Sequence, residues 1–140
     1  MSVMRNLLWV DCSAAALAGV TVLTLSGWLN GLYLLPRGLL LFTGAVNVLY
    51  AAYSFSLTIR TERPRSRINL LVFANLAWSV VCMGLAAAFA DSATLFGVGH
   101  LVGEAAFVGG LAGLEWRWRE SLTTVQREVG NEVPDPGVWR

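Results

Sequence analysis

Residues 94–114 read TLFGVGHLVGEAAFVGGLAGL, a run in which only His100 and Glu104 can carry a charge. At about 1.5 Å of rise per residue such a run forms a helix about 30 Å long, the thickness of a bilayer's hydrocarbon core. It has no alternation of apolar and polar positions, and it is about twice the length of a membrane strand. The reading is a transmembrane helix. Three similar runs precede it, at residues 7–29, 38–59 and 68–89. Asn30-Gly31 and Pro36 close the first and open the second, and the charged stretch 60–67, RTERPRSR, divides the second from the third. Ala90-Asp91-Ser92 is a tight link before the fourth, with Ser92 placed to cap it. The expected fold is an all-α integral membrane protein with four transmembrane helices in an up-down bundle.

Composition agrees with that reading. Only 14% of the 140 residues are charged and 56% are hydrophobic, which leaves too little solvating surface for a soluble enzyme or a disordered chain. Cys12 and Cys82 lie inside apolar runs at different depths, so a disulfide-rich secreted module is excluded and both read as reduced packing residues. No basic stripe with interleaved aromatics is present, so nucleic acid is not an expected partner. The first apolar run is longer than the core of a secretory signal and carries Asp11; it reads as a retained helix.

The arginines orient the chain. All ten basic residues are Arg. With a cytoplasmic N-terminus, Arg5, Arg60, Arg63, Arg65, Arg67, Arg117, Arg119, Arg127 and Arg140 lie inside and only Arg37 outside. Trp9, Trp116 and Trp118 then mark the inner interface, and Trp28 with Tyr33 the outer one. The expected location is a bacterial inner membrane with both termini in the cytoplasm.

Residues 1–114 form the transmembrane domain in this reading, and 115–140 a cytoplasmic amphipathic extension with a mobile tail. Trp118, Leu122, Val125 and Val129 recur at helical spacing, Gly130 stops the helix, and 133–140 is rich in turn formers. A faint repeat relates Leu41-Phe42, Val48 and Ala51-Ala52 to Leu95-Phe96, Val102 and Ala105-Ala106, as two parallel helix-pair repeats would.

Counting from the segment ends places Glu104 at the centre of the fourth span. Asn47 is close to the centre of the second, Asn75 and Trp78 to that of the third, and His100 is one turn from Glu104. A charged side chain at that depth costs about 3 kcal/mol on insertion scales, so these groups must face the bundle interior and find partners. His100 and Glu104, spaced i and i+4, share a helical face. Burial opposes charge on either group and pairing favours it on both, which suits a proton switch or an acid–base couple. The structural alternative is a hydrogen bond from Glu104 to Asn47 or Asn75. Tyr50 and Tyr53 continue a polar-aromatic stripe from Asn47. Asp11, near the inner interface, is expected to pair with Arg67 or Arg117. Gly99, Gly103 and Gly110 belong to small-residue ridges that let helices approach closely. With one His in the chain no metal site is expected, and no cofactor motif is present.

Three functions follow as expectations. One is the binding or transport of a small solute, proton or amphipathic ligand at the cluster of Glu104, His100, Asn75, Asn47, Tyr50 and Trp78. Another is a membrane-embedded enzyme using His100 and Glu104 as acid and base. An accessory subunit docking through the glycine ridge or tail is a third. Beyond the lipid bilayer, the expected partner is a second copy or a larger membrane complex.

Overall fold

The computed structural model describes residues 2–60 and 64–122, all helix or short connection. The order is α1 (Ser2–Tyr33), α2 (Arg37–Thr58), α3 (Arg65–Ala88), α4 (Leu95–Arg117) and the single turn α5 (Arg119–Leu122). The first four are each long and apolar enough to cross a membrane. Their outer faces stay apolar: Leu17 and Leu49 are 71% exposed and Leu95 86%. A water-facing helix would carry its polar stripe there.

Helix ends differ from expectation where side chains satisfy the backbone. Asn30-Gly31 does not end α1, because the Asn30 amide donates to the Leu35 carbonyl at 2.6 Å and so fastens the turn beyond the helix. The chain leaves α1 at Leu34, in the left-handed region at φ 53°, and Pro36 then opens α2. The cap of α4 is Thr94 rather than Ser92: Thr94 Oγ1 accepts from Gly97 N at 3.2 Å. At its far end α4 runs to Arg117, past the expected break at residue 114, and draws Glu115 into the bundle. Of the predicted amphipathic extension only α5 is seen; Val125, Val129 and the tail lie outside the described residues.

The bundle is built from two tight hairpins. In α1–α2 the backbones nearly touch: a Cβ on Gly19 would lie 2.8 Å from the Gly44 carbonyl oxygen. In α3–α4, Ser79 Oγ donates to the Ala105 carbonyl at 2.8 Å and stands 2.9 Å from where a Cβ on Gly109 would be. The hairpins join at the end where α4 begins, here termed distal. There Thr94 N donates to the Tyr33 carbonyl at 2.9 Å and Thr94 Oγ1 to the Leu32 carbonyl at 2.8 Å. A Cβ on Gly97 would sit 2.6 Å from the Tyr33 oxygen, so only glycine admits this contact.

The close approaches of α4 are therefore at Gly97 and at the small residues Ala105 and Gly109, not at Gly99, Gly103 and Gly110. Gly99, Gly103 and Gly110 have no atom of the described residues within 4 Å of an added Cβ. Within one chain these glycines widen the bundle rather than seal it. Apolar cores close both ends instead. Val22, Leu29, Leu35, Leu40, Ala86 and Leu101 fill the distal end, and Leu8, Leu57, Ile68 and Leu71 the opposite, basal end. Polar side chains occupy the layer between them.

Candidate functional site

Glu104 projects from the middle of α4, where α2 and α3 each offer it an N–H. Asn47 Nδ2 and Trp78 Nε1 both donate to Oε1 at 2.7 Å. Both are short hydrogen bonds, and they fix the carboxyl plane from two helices at once. The other oxygen, Oε2, lies 3.5 Å from His100 Nε2, too far for a strong hydrogen bond. His100 is held by its ring instead, stacked on Tyr33 with centroids 5.2 Å apart and planes 27° from parallel. Trp78 is steadied by Phe42, whose ring centroid is 6.3 Å away. One oxygen of Glu104 is thus saturated by protein donors, and the other is left with capacity to accept.

Below this layer, toward the basal end, a second polar layer surrounds Asp11. Tyr50 OH and Ser54 Oγ donate to Asp11 Oδ2 at 2.8 and 2.6 Å. Asn75 Nδ2 donates to Glu115 Oε2 at 3.1 Å. The two layers divide the predicted cluster. Asn47, Trp78 and His100 meet at Glu104, whereas Tyr50 and Asn75 turn to other acids.

Asp11 requires a correction. It was expected to pair with an arginine at the interface, but it is 2% exposed and points into the bundle at two hydroxyls. The reason is helical phase: Tyr50 and Ser54, four apart on α2, present both hydroxyls to the same face of α1. Tyr53 turns the other way and donates to the Arg67 carbonyl at 3.1 Å.

Ser54 and Glu115 escaped the sequence reading. The signal existed for both. Ser54 continues the stripe of Asn47 and Tyr50 at spacings of three and four. Glu115 lies eleven residues after Glu104, close to three helical turns, and so shares its face. Its place at the head of Glu-Trp-Arg-Trp-Arg made it read as interfacial, yet it is fully buried.

Between the hairpins lies a cavity of about 560 Å³ to which all four long helices contribute. Its spaciousness follows from small side chains at helical spacing: Ala14 and Ala18 on α1, Ala74 and Ala77 on α3, Gly99 and Gly103 on α4. Larger residues at these six positions would close it. The wall is chiefly apolar and aromatic, and Asn47, Asn75, Asp11, His100 and Glu104 are the polar groups that reach it. A hydrophobic chamber with few convergent polar groups is the form of a small-molecule site, and this volume is within the ordinary range for one.

Among the described residues no three side chains of His, Cys, Asp or Glu come together as metal ligands. Cys12 and Cys82 are both buried and unbridged. No known protein family, curated protein or solved structure matches the chain, so function rests on the geometry of the site.

Proposed function

We propose that this chain is an integral protein of a bacterial inner membrane, with both ends cytoplasmic, that binds a small amphipathic molecule carrying a cationic or N–H donor group. The observation that supports this most is the cavity itself: about 560 Å³ of chiefly apolar space with a fixed carboxyl group on its wall. Four apolar helices with apolar outer faces support the lipid setting, and the arginines gathered at the basal end support the orientation.

The chemistry favours a lipophilic cation. Glu104 Oε1 is already occupied by Asn47 and Trp78, so the ligand's donor goes to Oε2, beside His100. Trp78, Tyr50 and Phe107 line the same cavity, and an aromatic face that meets a desolvated cation attracts it by about 2 kcal/mol. The alanine and glycine positions accommodate the apolar body. A neutral hydrocarbon gains the burial but not the carboxylate, and a hydrophilic cation gains the carboxylate but not the burial.

The test is calorimetric binding of lipophilic amines and quaternary ammonium ions, against neutral isosteres, to purified protein in detergent. Wild type should prefer the cations, and Glu104→Gln should weaken them by roughly tenfold or more, about 1.4 kcal/mol. Gln keeps an acceptor for Asn47 and Trp78, so the fold is retained. Identical binding profiles for the two proteins would refute the proposal.

A further inference from the structure

Asp11 and Glu115 come from the two different hairpins, α1 and α4, and meet in the basal polar layer. Both are sealed from solvent, at 2% and 0% exposure. Their hydrogen bonding is unequal. Asp11 Oδ2 receives the hydroxyls of Tyr50 and Ser54. Among the described residues Glu115 receives a single donor, Asn75 Nδ2 at 3.1 Å on Oε2, and its buried Oε1 has no hydrogen-bond partner. Asn75 also acts electrostatically on Asp11, and Asp11 on Glu115, so the three groups belong to one polar layer.

The ionisable surroundings are as follows. On α1, the Cys12 thiol adjoins Asp11, and on α2 the Tyr50 phenol faces both acids. On α3, Arg65 reaches outward to Glu120 of α5 at 3.9 Å, and Arg67 lies toward Tyr53. On α5, the Arg119 guanidinium sits over the Trp116 ring, 4.0 Å from its centroid. Glu104, higher on α4, belongs to the other layer.

Two buried carboxyl groups that feel each other's charge in a medium of low dielectric oppose double ionisation. Asp11, with its hydroxyl donors, is the better stabilised anion. Glu115, with an orphaned oxygen, is the member that needs something bound to it. We propose that Asp11 and Glu115, joined through Asn75, form a proton-binding site that surrenders its proton when a cation enters the adjoining cavity. The connection is direct: Asp11, Tyr50 and Asn75 belong to this polar layer and to the cavity wall at once. A positive charge in the cavity favours the doubly ionised pair, and the proton leaves to solvent. By linkage, acid then weakens cation binding. This exchange rests on the cavity reading; the proton site does not.

The first arm of the test is therefore ligand-free. Infrared spectra of the protein in an ester-free detergent at neutral pH should show the carbonyl stretch of a protonated carboxylic acid. The band should persist in Glu104→Gln and disappear in Glu115→Gln. Its absence from wild type, or its loss in Glu104→Gln, overturns the site without relying on the folding of any Glu115 variant. The second arm measures binding enthalpy for a lipophilic quaternary ammonium ion in buffers of different ionisation enthalpy. Wild type should release protons on binding, and Glu115→Gln should bind without release. Binding by wild type without release overturns the exchange. Absence of any binding overturns the cavity reading and the exchange with it, while the infrared arm still decides the proton site.

Discussion

Trp78 places its indole nitrogen 2.7 Å from Oε1 of Glu104, so a residue type that usually sits at a membrane surface is turned inward to hold an acid. The hydrogen bond explains its depth. An indole N–H without an acceptor is costly in an apolar interior, and Glu104 without donors is more costly still.

Replacing Trp78 by Phe keeps a ring against Phe42 but removes the donor. Glu104 then keeps only Asn47 on that oxygen, and stability should fall by about 1–3 kcal/mol. Unfolding in a denaturing detergent series measures this. An unchanged midpoint would mean that the indole contributes shape alone.

Gly103 and Gly19 should respond oppositely to enlargement. Gly103 has open space before it and lines the cavity, so Gly103→Leu should fold normally and abolish ligand binding by filling the chamber. Gly19 faces the Gly44 backbone at contact distance, so Gly19→Leu should destabilise the α1–α2 hairpin by about 1–3 kcal/mol or more. Equal losses of stability would place the Gly103 face in a helix seam.

Thr94 both caps α4 and ties it to α1 through the Leu32 carbonyl. Thr94→Ala should cost about 1 kcal/mol, and Thr94→Ser should restore most of it because the hydroxyl returns. Comparing the two variants by thermal unfolding separates the hydroxyl from the methyl group.

Orientation can be read with a reporter active only in the cytoplasm. Fusions after Arg60 or Arg140 should be active, and fusions after Tyr33 or Ser92 silent. Activity after Ser92 would reverse the assignment of the distal end.

The four long helices were legible because apolar length is a property of single segments, and 94–114 declares itself without its neighbours. Depth was legible in part: counting along the spans puts Asn47, Trp78 and His100 at the level of Glu104, but it puts Asn75 there too, and Asn75 bonds Glu115 in the layer below. Partnership was not. Tyr50 lies one turn from Asn47, yet its hydroxyl chooses Asp11, a decision made by helix rotation rather than by depth. The glycines misled for a related reason. A spacing of four permits close approach but does not say which helix arrives. At Gly99 and Gly103 none does; at Gly97 the end of α1 does.

Each hairpin is drawn close internally, at Gly19 with Gly44 and at Ser79 with Ala105, and the two meet at the distal end, where Gly97 approaches the Tyr33 carbonyl and Thr94 bonds the Leu32 carbonyl. The chamber is lined by both hairpins, so it exists only after the two dock. A chain severed between α2 and α3 and expressed as two polypeptides would still have what it needs to assemble, because the cut spares every one of these contacts. The chamber is, in that sense, a quaternary structure written within a single chain.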